Sequence, residues 1–320
     1  MHASTSAVKP RTKPRPLART GSRYAHYRKY MVLYLISLPG IFFFLVFKYV
    51  PLFGSIMAFK DYNVFAGMWK SEWVGFAHFK RMFEYPDFGR ILMNTIAIGG
   101  YTLLFAFPIP IVLALLMNEL RGRLFKRFVQ TAVYLPHFLS WVVVAGIVIG
   151  ILSPTNGLMN QLLNHFGIDS IYFMGEESYV RSIIVGSGVW RDAGWSTIIY
   201  LAAMAGINPD LYEAAQLDGA NRWRQTRSIT IPALLPTITV LFLLQIGQFL
   251  DLGFERVYVF LNPLNGGRGD ILDTYIYDVG LIQGQYSYTT AIGLFKSLIG
   301  LALIMGANAL SKKTTGEGLY

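Results

Sequence analysis

Three stretches of the chain contain no Asp, Glu, Lys or Arg: Ile91–Asn118, Phe128–Ile168 and Ser228–Leu250. Each exceeds the roughly 18 residues at which an uncharged, largely apolar run reads as a membrane-spanning helix. Extended to the remaining apolar segments, the pattern predicts six spans. The first begins at Met31, runs through Phe47 and continues towards Phe59; the others are Ile91–Met117, Val129–Leu152, Ser182–Ala205, Ala233–Leu252 and Thr290–Leu310. The fourth is interrupted by Arg191-Asp192. Between the first two spans, Glu72–Arg90 mixes aromatic residues with Lys80, Arg81, Glu84 and Asp87, which suits a helix lying at the interface with its aromatic side down. Gly157–Gly167 reads as a short amphipathic helix ended by Gly167, with His165 as an exposed polar residue. The fold class is therefore all-α and integral to a membrane.

Composition agrees. Hydrophobic residues make up 53% of the 320 positions and charged residues 14%, against about 25% charged in soluble domains. So few charges could not cover a globular surface in water. There is no cysteine, hence no disulfide and no thiolate metal site. The net charge of +10 is concentrated: eight of the 28 basic residues lie in an acid-free first 30. A solvated basic tail beside anionic lipid accounts for this better than nucleic-acid binding. An even number of spans puts both termini on one side. That side carries 17 Lys and Arg in its tails and loops and the other six, so both termini are expected in the cytoplasm. The organisation expected is a basic cytoplasmic tail without predicted order at 1–30, a membrane domain at 31–311 and a short cytoplasmic tail at 312–320. Met31–Phe47 is too long for a signal h-region of roughly 7–15 residues and has no A-x-A-like site after it, so the tail is expected to be retained.

The most specific signal lies in the loop at about 206–232. Asn208-Pro209-Asp210 is a helix start, with Asn as cap, Pro in the first turn and an acid beside it. Gly219 supplies a left-handed stop, Asn221 caps a second helix through Arg222–Ile229, and Pro232 is expected to end that one. Ala214 and Ala215 keep one side narrow, while Glu213 and Asp218 carry fixed negative charge.

This run, YEAAQLDGANRWRQTRSITIP, resembles the "EAA" loop of ATP-binding-cassette importer permeases, through Glu213, Ala214, Ala215, Asp218, Gly219, Ala220, Ile229, Ile231 and Pro232. The Asp-Gly-Ala version with Trp223 nearby is similar to that of carbohydrate permeases; the family usually has Phe where Thr226 stands. Val74-Gly75-Phe76 to Phe79, Asn94-Thr95, Leu135-Pro136 and Gly157–Asn160 fit as well. The resemblance implies a type I importer permease in the bacterial cytoplasmic (inner) membrane. The short helix would dock on a cytoplasmic ATPase, with Glu213, Ala214, Ala215, Asp218, Gly219, Ala220, Ile231 and Pro232 as the coupling set. It implies as partners a second permease subunit (a copy or a paralogue), two ATP-binding subunits, an external solute-binding protein and an oligosaccharide. An acidic, alginate-like sugar is one such solute. The chain has no G-x-x-x-x-G-K-[ST] phosphate loop, so no cofactor is expected in it; ATP and Mg belong to the partner ATPase, and it is not expected to be an enzyme.

Candidates for the substrate path are the charged and polar positions inside spans. Arg191, Asp192 and Trp195 share a broad sector of the fourth. In the fifth, Gln245, Gln248, Asp251 and Glu255 fall within an arc of about 120°. Arg191 has two readings: a path residue, or one that pairs with a carboxylate to fix helix packing. Lys296 either reaches the headgroups or faces a cavity. Asn262, Asn265, Gly266 and Gly267 form a turn-rich outer loop, resembling the one that touches the binding protein in sugar permeases. Two rivals remain open. An ion-gradient transporter would use discontinuous helices and midplane charges. A membrane enzyme would conscript Asp251, Glu255 and Asp270.

Overall fold

The computed structural model describes residues 23–316 and 318. The basic tail expected at 1–30 lies outside the described residues up to position 22; from Arg23 the chain is already helical. The described residues divide into two compact units after Gly54. In the first unit, helix α1 (Arg23–Phe44) carries Pro39 within it and continues through a wide turn at Leu45–Tyr49 into Val50–Phe53.

The second unit opens with a two-stranded antiparallel ribbon, β1 (Lys60–Asp61) against β2 (Glu72–Trp73). The interfacial helix expected over 72–90 is shorter, α2 (Ala77–Glu84). Phe88 and Arg90 instead start the second span, α3 (Phe88–Glu119). Phe59, Trp73, Phe76 and Phe79 pack together with ring centroids 5.5–5.8 Å apart, so the aromatic residues turn partly onto one another. The remaining helices are α4 (Arg123–Tyr134), α5 (Trp141–Ile151), α6 (Leu158–His165), α7 (Glu177–Ala205), α8 (Asp210–Leu217), α9 (Arg222–Gly247), α10 (Phe254–Tyr258), α11 (Leu272–Ile276) and α12 (Tyr286–Thr315). Among the described residues four helices are long and apolar enough to cross a membrane: Tyr30–Phe59, α3, α9 and the Tyr286–Lys313 part of α12. The 29-residue α7 has the length but carries charge.

The expected third span is not straight. Its two halves, Arg123–Phe138 and Trp141–Ile151, bend by 107°. Pro136 lacks an N–H to continue the first half. Ser140 adopts an extended conformation and caps the second, its Oγ accepting from Val143 N at 3.4 Å.

Three of the prolines inside the other long helices share one accommodation. Wide turns at Leu45–Tyr49, Thr102–Ala106 and Thr226–Thr230 each end two residues before a proline: Pro51, Pro108 and Pro232. A proline ring collides with the carbonyl four residues back and leaves it without a donor; widening the preceding turn moves that carbonyl aside. Ile231 N accordingly bonds to Thr226 O, five residues back. Pro232 thus rides inside one continuous α9, contrary to the expected stop.

Three buried clusters fasten the unit. Ile98, Ala145, Ile184, Val257, Phe260 and Ile271 are among the first; Met82, Phe88, Ile91, Leu272 and Ile292 among the second; Ala114, Tyr200, Met204 and Leu234 form the third. Because hydrocarbon gives spans little hydrophobic reason to associate, close backbone approach matters more. A Cβ on Gly194 would stand 2.0 Å from Val133 O, and one on Gly99 2.6 Å from Phe249 O. α7 therefore meets α4, and α3 the turn that follows α9, with only hydrogen between.

Candidate functional site

The loop between α7 and α9 folds as its residues dictate. Asn208 Oδ1 accepts from Asp210 N at 3.0 Å, capping α8 across Pro209. At the other end Gly219 takes φ +74°. There Ala220 N bonds Ala215 O at 2.8 Å and Gly219 N bonds Gln216 O at 3.0 Å, the paired bonds of a Schellman stop. Asn221 then caps α9 by accepting from Arg224 N at 2.9 Å. The Tyr212 hydroxyl meets Thr230 Oγ1 at 2.9 Å, and Arg222 pairs with Glu119 at the end of α3. The element is a rigid elbow tied to two long helices.

Its far side is open. Glu213, Ala214, Asp218 and Gly219 are exposed, and so are two large apolar side chains, Leu217 at 90% and Trp223 at 70%. Behind the elbow is a cavity of about 600 Å³ lined by Glu119, Tyr212, Gln216, Arg222 and Thr226 among others. Ile231 is half-buried on α9 and Pro232 exposed.

The polar groups near the spans divide into fasteners and open faces. Arg191 Nη1 donates to Asp192 Oδ1 at 2.8 Å and its Nε to Leu139 O at 3.0 Å, with the guanidinium 4.6 Å over the Trp141 ring. Leu139 is the residue whose carbonyl the bend between α4 and α5 releases. Arg191 therefore satisfies a broken helix, and the packing reading describes its geometry. His137 completes the cluster, 2.9 Å from Asp192 Oδ1 and stacked on Trp195 at 4.7 Å. Sequence reasoning missed His137; Leu135-Pro136 was the signal that a break stood beside it.

The arc proposed for Gln245, Gln248, Asp251 and Glu255 does not form, because α9 ends at Gly247 and Gly253 takes φ +81° before α10. Gln245 and Gln248 do share a small cavity of about 150 Å³ with Ser196 and Tyr200. Gln248 and Asp251 border a second, of about 440 Å³, with Lys296 and Ser297. Glu255 sits apart on α10, exposed. Lys296 faces inward, paired with Asp273 and 3.4 Å from Asp251. Burial raises the Asp273 carboxyl above its ordinary value while Lys296 opposes the rise. Arg256, also absent from the candidates, donates to Ile184 O and to Thr102 Oγ1 at 3.3 Å. Gly188 makes room for it, since a Cβ there would lie 2.5 Å from the guanidinium carbon.

The outer loop also departs from expectation. Asn265 is 1% exposed. Its Nδ2 donates to Met174 O at 3.1 Å and Phe260 O at 3.0 Å, and its Oδ1 accepts from Asn262 N at 3.0 Å. Asn262 Nδ2 reaches Met174 O at 2.7 Å. These two amides hold the turn together, with Asn265 buried and Asn262 half-buried. Gly267 is backed onto Glu177, its carbonyl accepting from Asn94 Nδ2 at 3.0 Å and Arg90 Nη1 at 3.1 Å. Thr95 Oγ1 accepts from Leu272 N at 3.0 Å. Asn94-Thr95 thus pins the loop to α3. Of the four positions, Gly266 alone has open space where a side chain would be.

Comparison with known proteins places the chain. Residues 106–316 match the model of the binding-protein-dependent transport system inner membrane component family, and the chain belongs to that family. It is 51% identical over 288 residues to the polygalacturonan/rhamnogalacturonan transport system permease protein YteP of Bacillus subtilis, covering 90% of each chain. It is 49% identical to Protein LplB of the same organism, over 90% of this chain and 91% of that one. Its fold is similar to a chain of a bacterial ABC transporter involved in import of the acidic polysaccharide alginate. There the TM-score is 0.84 and the identity 40%, covering 92% of this chain and 99% of the other. The alginate transporter in complex with its alginate pentasaccharide-bound periplasmic protein matches equally.

Proposed function

We propose that this chain is the membrane-spanning permease subunit of an ATP-driven importer of oligosaccharides, acidic ones foremost, in the bacterial cytoplasmic membrane. The exposed elbow carries the reading: a capped, rigid helix that presents Glu213 and Leu217 to something outside the chain, while its other side is fixed to α3 and α9. A cytoplasmic ATPase fits that description. Closure of two such ATPases, holding ATP and Mg, would push the elbow, and the ties to α3 and α9 would carry the movement into the spans. Both termini and the elbow then lie on the cytoplasmic side, with six crossings, the bent α4–α5 pair counting as one and α7 as another. Ala214, Ala215, Asp218, Gly219 and Ala220 shape the docking face; Ile231 and Pro232 set the angle at which α9 leaves it.

A second permease, a copy or a paralogue, supplies the other half of the path, and an external binding protein delivers the solute. The likeness to permeases for polygalacturonan/rhamnogalacturonan and for alginate supports an acidic oligosaccharide. Gln245, Gln248 and Asp251 are the path residues whose placement around cavities favours contact with sugar hydroxyls. The test is reconstitution of the chain with its ATPase, partner permease and binding protein in lipid. An acidic oligosaccharide bound to the binding protein should raise ATP turnover, and neutral sugars should not. Solute uptake by the chain alone, without ATPase, would end this reading.

A further inference from the structure

A cavity of about 590 Å³ opens between α3 and α7, and its lining includes neither the elbow residues nor Gln245 and Gln248. One wall is a stripe of Tyr101, Phe105 and Ile109, four residues apart on α3. It runs for about 12 Å at 1.5 Å per residue. The facing wall is Val185 and Val189 of α7, with Gly186 between them. At the end nearest Glu177 the lining changes to hydroxyls and guanidinium groups, from Ser178, Ser182, Arg181 and Arg268.

Arg181 is held and yet unspent. Its Nη2 donates to Asn94 Oδ1 at 2.8 Å and its Nε to Arg268 O at 3.3 Å. Those bonds fix the plane of the group and leave three of its five N–H donors without a protein partner among the described residues. Among the described residues no carboxylate lies within ion-pairing distance of it, and Arg268 meets Glu177 only at 4.0 Å. This end of the trough is therefore net positive and preorganised for an oxyanion. A sugar would need hydrogen-bonding groups along its whole length. Here they stand at one end, and the remaining walls are hydrocarbon.

We infer that this trough binds an anionic phospholipid, its phosphate against Arg181 and Arg268 and its acyl chain along Tyr101, Phe105 and Ile109. Charged head and apolar tail match the two ends in order, with the guanidinium fork suited to a phosphate. The site is independent of which solute is carried. It would tie the Gly-rich outer loop, through Arg268, to the lipid around the importer.

The assembled importer tests it, purified in detergent and washed with mixed phosphatidylglycerol and phosphatidylcholine, with retained lipid counted by native mass spectrometry. The wild type should keep phosphatidylglycerol at least tenfold over phosphatidylcholine. Arg181→Gln should abolish that preference and Arg181→Lys should restore part of it. Gly186→Leu should abolish retention with both cations intact. It is sterically permitted, since a Cβ on Gly186 meets nothing within 4 Å. Unchanged retention in Arg181→Gln or in Gly186→Leu overturns the assignment. So does equal competition by free glycerol phosphate, which would mean a bare anion site. Displacement of the lipid by an acidic oligosaccharide would make the trough part of the sugar path. Failure of Gly186→Leu to assemble with the other permease would make this face a subunit interface. Either result refutes a lipid site.

Discussion

The elbow at 208–232 and the outer loop at 262–272 are both turn-rich segments, and they resolve in opposite ways. Backbone bonds and caps within its own residues build the elbow, which points its side chains outward. Long-range bonds from Asn94, Thr95 and Met174 build the outer loop, whose Asn side chains are consumed inside. A segment that closes its own hydrogen bonds leaves its surface for a partner; one that borrows bonds from distant elements is part of the frame.

That contrast can be broken most severely at the elbow. Glu213→Arg and Leu217→Asp should each reduce substrate-stimulated ATP turnover of the assembled importer by tenfold or more. Thermal stability should stay within about 0.5 kcal/mol, as for exposed substitutions generally. A stability loss as large as the coupling loss would make the elbow part of the frame after all. Next comes Asn265→Ala, which strips the Phe260 carbonyl of its donor and the Asn262 N–H of its acceptor, while Met174 O keeps Asn262 Nδ2. Polar groups left unpaired in the interior cost about 1–3 kcal/mol each, so unfolding in mixed micelles should reveal a loss of about 2–6 kcal/mol. The ratio of transport to ATP turnover in the surviving protein should be unaltered.

Smaller effects sharpen the comparison. Gly219→Ala places a side chain at φ +74° and should cost about 1 kcal/mol, with weaker coupling as α8 tilts. Asn221→Ala, which removes a cap, should cost a similar amount. The smallest effect concerns pH. Burial holds the Asp270 carboxyl above its ordinary value, with the Thr274 hydroxyl opposing. The folded form then binds its proton more tightly than the unfolded one. Stability must therefore fall as pH rises from the ordinary carboxylate range through the raised value. Asp270→Asn should flatten that fall in a pH series of melting temperatures; an unchanged slope would show that this group does not titrate in the window.

Much of the architecture was legible because the relevant forces are local or depend only on composition. Uncharged runs marked spans, and Asn208, Gly219 and Asn221 marked helix ends, since caps are bonds between residues two to five apart. Gly167 was legible in the same way: it takes φ +76° and Ile168 N returns to Leu163 O at 3.0 Å. The errors came where a local rule met a distant partner. Pro232 was read as a stop, but a wide turn two residues earlier absorbs it. Asp251 and Glu255 were placed on a helix that ends at Gly247. For Arg191 the letters left two readings, and the fold adds that its Nε donates to Leu139 O at the bend.

The sequence alone therefore determined that the chain lies in a membrane, where its long helices run, and that one capped elbow stands clear of them. It could do so because desolvation of charge and capping of backbone ends act within a few residues. Tertiary structure decided which polar side chains are free. Asn265, Arg191, Arg256 and Lys296 look alike as letters. Only the fold brings a released carbonyl or a buried carboxylate within reach of each, and so turns a possible ligand contact into a strut.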